Sequence, residues 1–218
     1  IEFNAEFRWI DTVNDLAFLF MDLQHRGRRD LAYLLLDRYL QESGDYGGLP
    51  LLRFYAVYRA LVRAKIAAIR RGQSLPADEL AATNAELGAY VDLAQKLAEP
   101  HRGAVVITHG VSGSGKSFVA QALTDFLPAV RLRSDVERKR LLGVEAREDA
   151  SAKGAYSAEL TARTYRRLAE LTGTVVQAGY VAVADATFLK RSQRAAFRDL
   201  AAGLEVPFVI LDCDAPVD

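Results

Sequence analysis

A single cysteine, Cys213, excludes an intrachain disulfide, and no Cys/His cluster has metal-ligand spacing. A reducing, cytoplasmic setting is the expectation. No apolar run approaches the ~18 residues that span a bilayer, and the start lacks the layout of a signal peptide, so no membrane partner is expected. Net charge is missing too: 28 basic and 28 acidic side chains cancel, which leaves no global field to recruit nucleic acid or an anionic surface. What is present is a 218-residue chain with 50% hydrophobic residues, enough for one large or two small domains with a real core. It begins with Ile1 rather than Met and stops at Asp218 just after the apolar run Val206 to Leu211, the aspect of a piece of a longer polypeptide.

The two halves follow different grammars. Residues 1–100 read as helical after a short extended start: Asp15 to Arg26, with apolar positions 16, 19, 20 and 23, then Asp30 to Glu42. A turn cluster, Asp45 to Pro50, leads to a helix of about Leu51 to Arg71, and a fourth runs from about Pro76 to Ala98. From 101 to 218, short Val/Ile/Leu runs alternate with helical ones. Strands are expected at 104–109, 129–133, 180–185 and 206–212, and helices at 116–127, 135–142, 156–178 and 190–202. Apolar strands separated by crossover helices predict an α/β parallel sheet covered on both faces, preceded by an all-α module. Ligands in such a sheet sit at the carboxyl ends of the strands. Gly143 to Gly154 is the most loop-like polar stretch, a flap or a solvated connection.

At one strand end stands Gly110-Val111-Ser112-Gly113-Ser114-Gly115-Lys116-Ser117, between the apolar run 104–108 and a helix-type run. Gly110, Gly113 and Gly115 let the backbone turn its N–H groups inward around phosphate oxygens, and the next helix aims its N-terminus at the same anion. Lys116 can reach the β- and γ-phosphates, and the Ser117 hydroxyl can ligate the bridging Mg²⁺. That is a phosphate loop in its proper context.

A phosphate loop alone leaves the chemistry open. At the end of the second strand, Asp135 can address an acceptor hydroxyl, and Arg138, one helical turn on, can bind the acceptor or steady the transferring group; the competing reading is that Ser134 or Asp135 caps the next helix. Asp185, after four apolar strand residues, has the layout of the carboxylate that holds Mg²⁺ or its water, although strands also end in Asp for turn reasons. Lys190, Arg191, Arg194 and Arg198 read as a solvated helix face, His25, His101 and His109 as structural, and Cys213 as a small strand-end hydrophobe.

On these residues the second half resembles the small P-loop kinases grouped with gluconate kinases, polynucleotide 5′-kinases and zeta-type toxins. The resemblance lies in the loop 110–117, the Asp-x-x-Arg of Asp135 and Arg138, and Val183 to Arg191. It implies that Asp135 works on the acceptor hydroxyl and that Arg138 binds the acceptor. The first half is similar to the C-terminal helical end of an aminoglycoside phosphotransferase-like lobe, through Ile1 to Asn4, Arg8 to Phe18 and Tyr58 to Lys65. The whole chain looks like a junction in bacterial two-part proteins. The resemblance further implies that the first lobe's catalytic loop precedes Ile1, and that the second domain stops before its lid and last strand.

The function expected is an Mg-ATP-dependent kinase acting on a hydroxyl of a small molecule. A nucleotide-sensing regulatory module is the alternative, and a polynucleotide 5′-kinase is disfavoured by the neutral charge and the lack of a basic, aromatic-bearing groove. The acceptor, the choice of ATP over GTP and the oligomeric state have no signature in the chain.

Overall fold

The computed structural model describes residues 9–143 and 157–214. The polar stretch after Gly143 and the quoted segments Ile1 to Asn4 and Arg8 lie outside the described residues. Two compact units form: Ile1–Ala32 with Gly48–Pro100, and Tyr33–Gly47 with His101–Asp218. A single cut at residue 100 therefore does not separate them. Helix α2 (Arg29–Ser43) starts in the first unit, and from Tyr33 onward it belongs with the sheet.

The first unit is built on α1 (Thr12–His25), α3 (Leu49–Arg71) and α4 (Ala77–Ala98). Helix α1 begins three residues before the expected Asp15, because the Asp11 carboxylate accepts from the Val13 amide at 2.9 Å and caps it. Its buried face is Val13, Ala17, Phe20 and Met21, so Leu19, expected on that face, is exposed. Packing decides this: α3 presents Leu52, Ala56, Ala60 and Ala64 at four-residue spacing, a stripe of mostly small side chains that admits a neighbouring helix closely. Arg53 donates to the Leu97 carbonyl at 3.2 Å and to that of Glu99, satisfying carbonyls at the end of α4. His25 stacks on Tyr90 with ring centroids 3.9 Å apart, which accounts for it structurally.

The second unit holds β1 (Ala104–His109), α5 (Lys116–Phe126), β2 (Ala129–Arg133), α6 (Ser134–Leu141), α7 (Ala158–Gln177), β3 (Val181–Asp185), α8 (Arg191–Gly203) and β4 (Phe208–Asp212). All four strands pair in parallel, in the order β2-β3-β1-β4. Val105, Ile107, Ala182, Val183 and Ala184 are buried, as strands covered on both faces require. The edge strand β4 departs from that expectation, since Val209 and Ile210 stay partly exposed. Chain order reverses across β1, whose successors lie on opposite sides of it, and the register sets Arg133 opposite Asp185. The carboxyl ends of β1, β2 and β3 thus open on one crevice, where such sheets bind ligands. Helix α6 is fixed on α7 by Glu137, buried between Arg140 and Arg167. No helix among the described residues is long and apolar enough to cross a membrane.

Candidate active site

Gly110, Gly113 and Gly115 have φ of 142°, 86° and 80°. At Gly110 space is also decisive, because a Cβ would stand 2.4 Å from the Cys213 carbonyl oxygen. Gly115 is the N-cap of α5 and brings no side chain to the first-turn amides, which leaves them to the loop's concave side. Lys116 is the first residue of that helix and only 8% exposed. Its ammonium donates to the Val111 carbonyl and, at 3.4 Å, to Ser114 Oγ. Both partners are neutral, and among the described residues no carboxylate pairs with it. A buried cation balanced by dipoles alone favours an anion.

The other wall comes from β3 and the turn after it. Asp185 is 5% exposed and lines the cleft beside Ser117. Burial pushes its carboxyl pKa upward; the Ser117 hydroxyl and the charges of Arg131 and Arg133 oppose that without cancelling it. The turn is tied to the loop, since the Gly110 amide donates to Thr187 O at 3.2 Å and Thr108 Oγ1 donates to Ala186 O at 2.7 Å. Phe188 then takes φ 46°, a left-handed conformation unusual for an aromatic residue, and is held by its surroundings. Its amide donates to the Tyr165 hydroxyl at 3.1 Å, its ring is fully buried against Tyr165 and Phe197, and its carbonyl accepts from Arg194 at 2.7 Å. Arg194, expected on a solvated face, is thereby a fastener of this turn.

From β2 and α6 come Arg133 and Asp135. Helix α6 starts at Ser134, and neither Ser134 nor Asp135 supplies a side-chain cap. Asp135 is instead gripped by Arg133, whose Nη2 lies 2.8 Å from Asp135 Oδ2. A cleft of about 400 Å³ results, bordered by Gly113, Lys116, Ser117, Arg133, Asp135 and Asp185. Ser112 and Gly115 also line it, whereas Gly110, Val111 and Ser114 do not. Arg138 lies one turn beyond Asp135 and does not border the cleft. His109 pairs with Asp212 at 2.7 Å across the β1–β4 register, also outside it.

Arg133, Thr187 and Phe118 border the cleft without having been singled out in the sequence. Arg133 carried a legible signal, a charge at the end of an apolar strand just ahead of Asp135. Thr187 and Phe118 carried none.

The oxygen donors suit one cation. Ser117 and Asp185 supply a hydroxyl and a carboxylate, and no group of three or more His, Cys, Asp or Glu among the described residues forms a closed metal cage. Mg²⁺ fits such a partial set, because it keeps waters and takes phosphate oxygens for its remaining positions.

Asp185 also yields a stability prediction. Its raised pKa means that the folded chain holds the proton more tightly than the unfolded one. Stability from this group is therefore full below the ordinary value of 3.8 and is lost as pH rises through the raised one. Asp185→Asn should then raise the melting temperature of the nucleotide-free protein at pH 7 by about 2–4 °C for each kcal/mol recovered. The gain should shrink as pH falls toward 3.8, which melting curves at several pH values would check.

Fold and site together define an α/β P-loop NTPase with an all-helical region before it. The chain belongs to the AAA_33 family, described as an AAA domain, whose signature matches residues 105–218. It is 32% identical over 221 residues to uncharacterized proteins of Mycobacterium tuberculosis and Mycobacterium bovis. Those alignments cover 100% of this chain and 43% of each relative, so the chain spans less than half their length. Two solved structures of the Mycobacterium tuberculosis APS kinase are similar at 28% identity. A cysteine-to-alanine mutant aligns over 55% of this chain and 80% of its own, with a TM-score of 0.43. The complex with AMPPNP and APS aligns over 54% and 66%, with a TM-score of 0.44.

Proposed function

We propose that the second unit is an Mg-ATP-dependent kinase that moves the γ-phosphate of ATP to a hydroxyl of a small molecule. The observation that carries this reading is the placing of Asp135 and the buried Lys116 on one cleft, the ammonium without a carboxylate partner among the described residues and the carboxylate held by Arg133. The loop amides and Lys116 bind the phosphate chain. Ser117 and Asp185 would hold Mg²⁺, which would supply positive charge against the phosphate chain. Asp135 accepts the proton of the acceptor hydroxyl as that oxygen bonds to the γ-phosphorus, and the bond from the γ-phosphorus to the bridging oxygen breaks to release ADP. Arg133 keeps Asp135 oriented, and Arg138, one turn away, is assigned to the acceptor's distal part.

The helical unit is read as the end of an aminoglycoside phosphotransferase-like lobe that contributes no catalytic group. Supporting this, Asp11 caps α1 and accepts from the Tyr55 hydroxyl at 3.1 Å, and Asp15 lies in the first turn of α1 where the helix dipole favours it. A cytoplasmic setting fits a nucleotide and a small-molecule acceptor as partners.

The test is a screen of hydroxyl compounds for Mg²⁺-dependent ADP release by the full-length protein. One chemical class of acceptor should raise release at least about a hundredfold over water, the lower end of what a positioned base contributes. A protein that binds no nucleotide in calorimetry would overturn the reading.

A further inference from the structure

Strand β2 reads Ala-Val-Arg-Leu-Arg, and its central arginine is an anomaly in a buried strand. Arg131 is 5% exposed and lies opposite Val183 in the β2–β3 register. Its guanidinium faces two ways. Nη2 is 3.3 Å from Asp37 Oδ2 on α2, and Nη1 donates to the Ser117 carbonyl oxygen at 3.2 Å. Asp37 is 2% exposed and is itself held by Gln41 Nε2 at 2.5 Å, one turn further along α2. The Gln41 carbonyl oxygen accepts from Arg140 at 2.8 Å, which moors α2 to α6.

A buried ion pair is weak evidence for stability, since desolvating both charges offsets their attraction and an apolar pair of similar volume is often as good. Position explains this pair better than stability does. The guanidinium is a rigid planar fork, so an anchor on one edge fixes what the other edge holds. Here the held atom belongs to Ser117, which lines the cleft together with Asp185, the other residue assigned to the cation.

We propose that Asp37 is a positioning residue of the phosphate site, which through Arg131 sets the first turn of α5 and with it the Ser117 hydroxyl that takes Mg²⁺. This rests on the reading of the cleft as an Mg-nucleotide site. Gln41 serves the same end by holding Asp37, and its Oε1 also accepts from Arg133 Nη1 at 3.3 Å, beside the grip on Asp135. A helix that sequence assigns to the other module is thus part of the nucleotide machinery.

The test compares binding of AMPPNP in Mg²⁺ and in EDTA by calorimetry, with melting curves alongside, for the wild type, Asp37→Leu combined with Arg131→Met, and Gln41→Met. The double variant replaces the ion pair by apolar volume and should melt within a few degrees of the wild type. Its affinity gain from Mg²⁺ should fall about tenfold, or about 1.4 kcal/mol, while metal-free affinity stays within about twofold. Gln41→Met should lower the same gain about threefold, and it decides the matter alone if the double variant does not fold. Equal loss in Mg²⁺ and EDTA, or no loss in either, would leave Asp37 with a structural role and overturn the proposal. Wild-type protein that binds no AMPPNP under either condition would overturn the reading of the cleft itself, and this proposal with it.

Discussion

Lys116→Ala should weaken nucleotide binding about ten- to a hundredfold, the loss that follows from removing charge-assisted hydrogen bonds of about 1.5–3 kcal/mol. The same change should leave the melting temperature of the nucleotide-free protein unchanged or higher. Lys116 is buried, its partners are the neutral Val111 carbonyl and Ser114 hydroxyl, and alanine removes the cost of desolvating its charge. The opposite signs of the two effects matter, because a residue kept for folding would lose both together. Calorimetry with ATP and a melting curve on the same sample decide it; unchanged affinity would remove the phosphate-binding role from Lys116.

Asp135→Asn should lower acceptor-dependent ADP release about 10²- to 10⁴-fold, the span that a positioned general base contributes, with ATP affinity held within about twofold. Asparagine keeps the shape that Arg133 grips at 2.8 Å but cannot accept the hydroxyl proton. The side chain is 53% exposed, so the fold should hardly notice. If the second unit only senses nucleotide, this variant should behave as the wild type in every assay, which makes Asp135 the residue that separates a kinase from a sensor.

The phosphate loop was legible because its chemistry is local. Gly110 to Ser117 lies between a strand and a helix that the neighbouring residues specify by themselves, and the positive φ at Gly110, Gly113 and Gly115 follows from residue type. Asp135 and Asp185 were legible for a related reason. A parallel sheet brings its strand ends to one edge, so a carboxylate at such an end faces the loop whatever the remaining packing. The sequence offered Ser134 or Asp135 as a cap beside the catalytic reading of Asp135; in the fold the N-cap position of α6 falls to Arg133, and Asp135 accepts from the Arg133 side chain.

Composition, periodicity and the loop motif therefore determined the fold class, the places of the four strands, and the end of the sheet at which phosphate would sit. Tertiary structure alone decided what supports that site. Asp37 and Arg131 are 94 residues apart in the chain, on a helix and a strand whose patterns are each complete without the other. Tyr165, which fastens the strained turn at Phe188 beside Thr187, reaches it from a separate helix 23 residues earlier in the chain. Local pattern encodes how a segment buries its apolar face, but a buried charge is stable only with a partner, and only the folded chain names that partner.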